Sequence, residues 1–173
     1  MQKIANKHNG FTLIELVLVI SIIAILAAYA LPKFANLTSV SRVTVIEGIG
    51  GSMRATIGIV RSKAQVSGLR VAAANPGGSA QTDYIIQTEA GTSEVDWRNL
   101  CPESQAELGD NLTMIDFIDL TTTNDLTAVT DNRYTRVGFD IRAATPPYTA
   151  GCYVIYDSFG DPSCTVTEVT LDC

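Results

Sequence analysis

The chain has 173 residues, of which 46% are hydrophobic and 17% charged, and its net charge is −6. This length suits one domain with its own core plus an appended segment. An acidic chain without a basic run is a poor ligand for nucleic acid or for an anionic membrane surface. The only histidine, His8, lies near the N-terminus, which excludes Ser-His-Asp and Cys-His catalysis in the rest of the chain.

The sequence contains no nucleotide-binding or zinc-binding motif, and its 18 acidic residues single out no catalytic pair. The Asp-rich stretch 110–131 fits no EF-hand loop and predicts solvated turns rather than a calcium site. We therefore predict that the protein is not an enzyme and that it has neither a cofactor nor a metal site.

Residues 1–10 are polar and include Lys3 and Lys7. Residues 11–31 follow as an apolar run in which Glu15 is the only charged residue. A helix of about 20 apolar residues crosses a bilayer, and positive residues beside it stay on the cytoplasmic side. The pattern therefore predicts a cytoplasmic N-terminus and an exported body.

Three interpretations of this run are open. Ala28-Tyr29-Ala30 fits a signal-peptide cleavage site, and a cut after Ala30 would release a secreted soluble binding protein. An uncut membrane anchor would leave the carboxylate of Glu15 in lipid without a partner, which is costly. A cut between Gly10 and Phe11 supplies that partner, because the new α-amine is positive and lies one helical turn from Glu15.

The stretch GFTLIELVLVISIIAILAAYALPKF, which begins at Gly10, resembles the N-terminal signature of type IV prepilins and pseudopilins. The resemblance implies that a prepilin peptidase cuts after Gly10 and methylates Phe11. It also implies that Glu15 guides the docking of subunits and that Pro32 kinks the first helix. The stretches LPKFANL and CYVIY, with the terminal Cys173, are similar to the mannose-sensitive haemagglutinin branch of pilins.

The resemblance also implies a division into domains: a leader peptide at 1–10, a transmembrane and filament-core segment at 11–32, and an exported globular head at 33–173. The protein would be the structural subunit of a type IV pilus, a homopolymer that serves surface adhesion and, in addition, motility. A pseudopilin of a type II secretion system is the alternative within the family.

The implied partners are further copies of the subunit, the prepilin peptidase, the pilus assembly machinery of the inner membrane and, before assembly, membrane lipid. The precursor would lie in the inner membrane with its head in the periplasm. The mature subunit would lie in a filament on the cell surface.

Pro32 lacks an N–H, which predicts a kink or a locally melted stretch near residues 28–32. Beyond it, helical spacing predicts a core-facing row of Val43, Ile46, Gly50, Met53, Ile57, Val60 and Ala64. A second row, here called the small stripe, consists of Gly48, Gly51, Ala55 and Gly58. We predict that the small stripe packs on the domain's own sheet, with close helix–helix approach in a filament as the alternative. The helix should end near residues 67–68.

The second half of the chain reads mainly as strands. Residues 75–81 predict a loop, 82–91 contain a short strand, and 101–109 predict one or two helical turns. From residue 111 onward the pattern is strand-like, including 112–120 and the β-branched stretch after it. Two β-rich runs around Gly160, Asp161 and Pro162 predict a hairpin.

The four cysteines have long gaps and no C-x-x-C pair, which favours two disulfides over a zinc site. If the hairpin turns near residue 162, Cys152 lies opposite Cys173, and Cys101 is left to pair with Cys164. Four cysteines allow three connectivities, so the other two stay open. A disulfide-bounded C-terminal region is also what the resemblance implies. We predict an α+β fold of the pilin type, with a long N-terminal helix packed on an antiparallel sheet.

Overall fold

The computed structural model describes residues 11–77, 82–120, 125–142, 145–160 and 164–173. The leader with Gly10, most of the predicted loop at 75–81, and the tip of the predicted hairpin lie outside the described residues. The chain forms two compact units, Met1–Ser39 and Val40–Cys173.

One long helix, α1, runs from Leu13 to Val66 and contains Pro32. Residues 28–32 are all helical, so the alternative of a locally melted stretch is wrong. Pro32 removes one backbone hydrogen bond, but helix on both sides keeps the segment in place because elongation is far easier than nucleation. The kink at Pro32 stays a prediction.

The C-terminal end of α1 is a Schellman motif built on Gly68. The N–H of Leu69 donates to the carbonyl of Ala64 at 3.0 Å, and the N–H of Gly68 donates to the carbonyl of Gln65 at 3.0 Å. Gly68 has a φ of 85°, a left-handed conformation that favours glycine. The predicted stop at residues 67–68 is therefore confirmed.

The core-facing row of α1 is confirmed within the second unit. Four of its members, Ile46, Met53, Val60 and Ala64, are fully buried. The other members are buried or partly buried as well. The helical period has thus placed one apolar side of α1 against the rest of this unit.

The small stripe lies on the opposite, exposed side of α1. A Cβ atom built on Gly48, Gly51 or Gly58 would meet no heavy atom within 4 Å. The prediction that this stripe packs on the domain's own sheet is therefore wrong. Its residues fall about half a turn away from the core-facing row, which already occupies the side that meets the sheet.

Six strands form two antiparallel sheets in the described residues. A two-stranded sheet pairs β1 with β2, and a four-stranded sheet has the order β3-β4-β5-β6. The predicted C-terminal hairpin is confirmed by the pairing of β5 with β6, and the strand expected within 82–91 is β1. The bounds are β1 Ile85–Thr88, β2 Gly91–Glu94, β3 Thr127–Thr130, β4 Tyr134–Asp140, β5 Cys152–Asp157 and β6 Thr165–Val169.

Two local predictions are wrong. Residues 112–120 contain a 3-10 helix, Met114–Phe117, where a strand was expected. Thr113 caps this turn: its N–H and its hydroxyl donate to Oδ2 of Asp116 at 2.8 and 2.9 Å, and this local bonding competes with extended backbone. Residues 101–109 form no helical turn, because Pro102 forms an antiparallel bridge with Val95, the residue that follows β2.

The main core of the second unit joins α1 to the four-stranded sheet. Ile46, Ile49 and Met53 belong to the same apolar cluster as Val154 and Tyr156 of β5. Two disulfides complete this part of the molecule, Cys101–Cys164 and Cys152–Cys173. They are the same two pairs that the hairpin argument named. Each closes a long loop, the kind of link that stabilises by about 2–4 kcal/mol.

Arg54 ties α1 to the last strand. Its Nη1 lies 2.7 Å from Oε1 of Glu168, and its Nη2 donates to the carbonyl of Val166 at 3.2 Å. Gly50 makes room for this contact, because a Cβ atom there would lie 2.2 Å from Oε1 of Glu168. Gly50 and Gly48 thus differ sharply in what a methyl group would meet, although they are two residues apart on one helix.

We expect Gly48→Ala to stabilise the fold by about 0.5–1 kcal/mol, because alanine is a better helix former and nothing blocks its methyl group. Gly50→Ala should stabilise the fold by about 1 kcal/mol less than Gly48→Ala, because its methyl group displaces Glu168 and breaks the bond between Glu168 and Arg54. Urea unfolding of the full chain in detergent, followed by Trp97 fluorescence, measures both changes. In a Glu168→Ala background, Gly48→Ala and Gly50→Ala should change the free energy of unfolding equally. A persistent difference between them would contradict this explanation.

Candidate processing and assembly site

Thr12 and Glu15 form a hydrogen-bonded capping box at the start of α1. Oε2 of Glu15 accepts hydrogen bonds from the backbone N–H of Thr12 at 2.9 Å and from its hydroxyl at 2.8 Å. In return, the hydroxyl oxygen of Thr12 accepts a bond from the N–H of Glu15 at 3.3 Å. Because α1 begins at Leu13, Thr12 is its N-cap residue and Glu15 is the third helical residue.

The capping box satisfies two backbone N–H groups near a helix start, where such groups lack partners within the helix. It also places a negative charge at the positive end of the helix dipole, which is the favourable arrangement. Glu15 therefore has a local structural role in addition to the docking role that the resemblance implies. This role was not predicted from the sequence, although the pattern Thr-x-x-Glu before an apolar run is its ordinary signal.

Phe11 and Thr12 precede the helix, and the side chain of Phe11 is 91% exposed. Both bonds from Thr12 go to Oε2 of Glu15. In the part of the chain that the structure describes, Oε1 of this carboxylate therefore remains available to a further donor.

The first part of α1 has no polar side. Its large apolar side chains are 47–91% exposed between Phe11 and Phe34. The most apolar window of the helix has a mean hydropathy of 2.7 and is 0% buried, which is unlike the core helix of a soluble domain. By length and composition this segment is able to cross a membrane.

The acidic residues of the second unit offer no site that competes with this one. Among the described residues, no group of three or more His, Cys, Asp or Glu is arranged to hold a metal ion. Within the Asp-rich stretch, Asp116 caps the 3-10 helix, and Asp131 accepts bonds from the N–H groups of Arg133 and Tyr134. These carboxylates act as turn and capping groups.

Comparisons with known proteins agree on the N-terminal segment. Residues 5–31 match the model of the prokaryotic N-terminal methylation motif. The type IV major fimbrial protein FimA of Dichelobacter nodosus is 48% identical over 52 residues, which cover 30% of this chain and 33% of that protein. The type IV major alpha-pilin of Moraxella bovis is 54% identical over 43 residues, which cover 25% of this chain and 27% of that protein. No solved structure gives a significant match.

The chain spans about a third of the length of these curated relatives, or less. The narrower similarity to the mannose-sensitive haemagglutinin branch stays a prediction. The long N-terminal helix, antiparallel sheets and two disulfides agree with the pilin fold. The methylation motif, the pilin relatives and the α+β fold together confirm that this chain resembles type IV pilins and prepilin-like proteins.

Proposed function

We propose that the chain is a structural subunit of a type IV pilus that serves surface adhesion and, in addition, motility. The observation that carries this proposal is the order of features around Glu15. A polar leader ends in Gly10, Phe11 follows, and an exposed apolar helix carries one carboxylate in its first turn. No catalytic step is assigned to this chain, which is itself the substrate of a peptidase.

Processing would convert Glu15 from a capping group into a docking group. The prepilin peptidase cuts after Gly10 and methylates Phe11, whose new amine is positive near neutral pH. Oε1 of Glu15 can then accept a hydrogen bond from this amine, which belongs either to the same chain or to a neighbour in the filament. Thr12 continues to donate its two hydrogen bonds to Oε2. Pairing matters because a buried charge without a partner is strongly destabilising.

The predicted location follows from the leader and the cysteines. Lys3 and Lys7 hold the N-terminus in the cytoplasm, and the segment 11–32 anchors the precursor in the inner membrane. The head, 33–173, then lies in the periplasm, where its two disulfides can form. The assembly machinery of the inner membrane would draw the mature subunit from lipid into the filament, and the apolar segments would bundle there.

The small stripe supports close contact between neighbouring subunits. Its glycines face open space and are exposed, although glycine inside a helix costs about 1 kcal/mol relative to alanine. Small residues on a helix allow a second backbone to approach closely. We therefore assign the stripe to a contact with another copy of this chain in the filament.

Gly10→Ala should leave unprocessed precursor in the inner membrane, because the peptidase requires the residue that ends the leader. Intact mass and N-terminal sequencing of the membrane fraction check this result. A mature chain that begins at methylated Phe11 supports the filament proposal, and a chain that begins at Leu31 supports release after Ala30. Normal surface filaments from the Gly10→Ala variant would show that the cleavage assignment is wrong.

Glu15→Ala and Glu15→Gln separate docking from capping. Glutamine also forms a capping box, so Glu15→Gln keeps the bonds to Thr12 and removes only the charge. We expect both variants to be cleaved and inserted normally and both to yield few filaments, counted by electron microscopy of sheared surface material. If Glu15→Gln assembles at the wild-type level, capping alone explains Glu15 and the proposed amine pair is refuted.

Gly51→Leu tests the small stripe, with Gly51→Ala as its matched control. Both substitutions remove a helical glycine, so both should raise the free energy of unfolding, by up to about 1 kcal/mol. Only leucine adds a side chain large enough to hold a neighbouring helix away. Filament yield should fall several-fold for Gly51→Leu and stay near wild type for Gly51→Ala. Equal filament yields from the two variants would show that the small stripe does not form the contact between subunits.

A further inference from the structure

Three buried carboxyl groups lie together in the second unit, in a region to which the proposed function assigns no role. Glu94, Asp96 and Glu103, here called the acidic cluster, are 1%, 0% and 3% exposed. Acidic side chains are almost never buried this fully unless they are paired. The cluster therefore needs a physical explanation of its own.

The backbone brings the three side chains together. The N–H of Glu103 donates to the carbonyl of Glu94 at 3.1 Å, and the N–H of Asp96 donates to the carbonyl of Cys101 at 2.8 Å. Val95 and Pro102 form the bridge between these bonds, so Glu94 and Glu103 are opposite residues of an antiparallel pair. Opposite residues share one face, and so do residues two apart on one strand.

Two members of the acidic cluster have partners. Oε2 of Glu94 accepts the N–H groups of Glu107 and Leu108 at 3.0 and 3.2 Å. Asp96 accepts the N–H of Arg98 at 2.6 Å and lies 2.8 Å from its Nη1. These bonds account for one oxygen of Glu94 and for both oxygens of Asp96.

Glu103 has no comparable support. Its Oε2 is buried and has no hydrogen-bond partner among the described residues, and the same holds for Oε1 of Glu94. A buried carboxylate left in this state is strongly destabilising, whereas the neutral acid is much less so.

Among the described residues, no nearby cation forms an ion pair with the carboxyl group of Glu103. The guanidinium of Arg98 is paired with Asp96 and stacks on the rings of Trp97 and Phe159, at 4.3 and 4.2 Å from the ring centres. Arg61, on α1, acts on the charge of Tyr156, but its buried Nε has no partner, and no ion pair joins Arg61 to an acidic group in the described part of the chain. The acidic cluster thus carries more buried acid than its cations compensate.

An uncharged hydrogen bond joins the strand pair 94–96 and 101–103 to β5. The hydroxyl of Tyr156, on β5, donates to the carbonyl of Pro102 at 2.6 Å. Burial, followed by the charges of Glu103, Asp96 and Asp157, raises the pKa of Tyr156 well above its usual value, so this phenol remains a donor. The strand pair is therefore fixed to the sheet by a contact that does not depend on pH near neutrality.

Burial raises the pKa of Glu103 to about 9, and the charges of Asp96, Glu107 and Glu94 add to this effect in that order, against a smaller opposite effect of Arg98. Burial also raises the pKa of Glu94 and of Asp96, although their hydrogen bonds act in the opposite direction. At neutral pH the Glu103 carboxyl therefore keeps its proton.

We propose that Glu103 is a proton-dependent latch, whose neutral carboxyl keeps the strand pair 94–96 and 101–103 docked beneath Tyr156 and whose deprotonation opens that pair. The opening is local, because Cys101 stays linked to Cys164. The latch places a sensor of alkaline conditions inside the second unit.

The sign of the pH dependence follows from linkage. Between the ordinary pKa of 4.5 and the raised value of about 9, the folded chain holds a proton that the unfolded chain has released. Rising pH therefore favours unfolding in this window, and the folding equilibrium constant falls about tenfold for each pH unit. Below the lower pKa and above the raised pKa, Glu103 no longer makes the folding equilibrium constant depend on pH.

The test uses the full chain in detergent with its disulfides intact and a chelator present. Trp97, the only tryptophan, lies beside Asp96 and reports unfolding by its fluorescence. Between about pH 6 and about pH 8, the wild-type folding constant should fall at least tenfold more than that of Glu103→Gln. Asp110→Asn, which removes an exposed carboxylate nearby, should keep the wild-type slope.

A second measurement does not depend on the variant's ability to fold. Infrared spectra of the wild-type chain at neutral pH should show the C=O band of a protonated carboxylic acid. The absence of that band, or equal slopes for wild type and Glu103→Gln, would overturn the latch. So would a saturable stabilisation by Ca²⁺ that Glu103→Gln removes, because the cluster would then hold a cation instead of a proton.

Discussion

One helix has to be stable in two different surroundings, and the rest of the molecule depends on that constraint. Its first part is apolar and exposed, and in the proposed function lipid or other copies of the chain surround it. Its second part is amphipathic, and the buried row that runs from Ile46 to Ala64 packs into the core. The change of pattern occurs within a single helix, Leu13–Val66, so the exposed apolar segment and the core-facing row belong to one element of secondary structure.

The second unit meets this constraint with few polar contacts to the helix. Arg54 reaches Glu168 and the carbonyl of Val166 on β6, and Gly50 leaves the space that the contact requires. Met53 belongs to the same apolar cluster as Val154 and Tyr156 of β5. The charged contact therefore fixes the register of the helix on the sheet, while burial of apolar area provides most of the stability.

The parts of the fold that follow from local pattern could be predicted from the sequence. The helical row, the stop at Gly68 and the C-terminal hairpin each depend on residues close together in the chain. The 3-10 helix was mistaken for a strand because the side chain of Asp116 decides it, through bonds to Thr113. The buried state of Glu94 and Glu103 was beyond prediction, because only the pairing of two distant segments places these acids on one covered face. At the N-terminal site, the roles of Gly10, Phe11 and Glu15 stay predictions, and the bond between Thr12 and Glu15 was not predicted.

The two disulfides interleave along the chain, since Cys152 lies between Cys101 and Cys164, and Cys173 lies beyond both. A single break in the backbone anywhere from Cys101 to Cys173 therefore releases no fragment, because one of the two bridges still joins the pieces. A protease that nicks an exposed turn of this region would leave the subunit covalently whole. Resistance to fragmentation is thus a property of the order of the cysteines, independent of how tightly the sheet is packed.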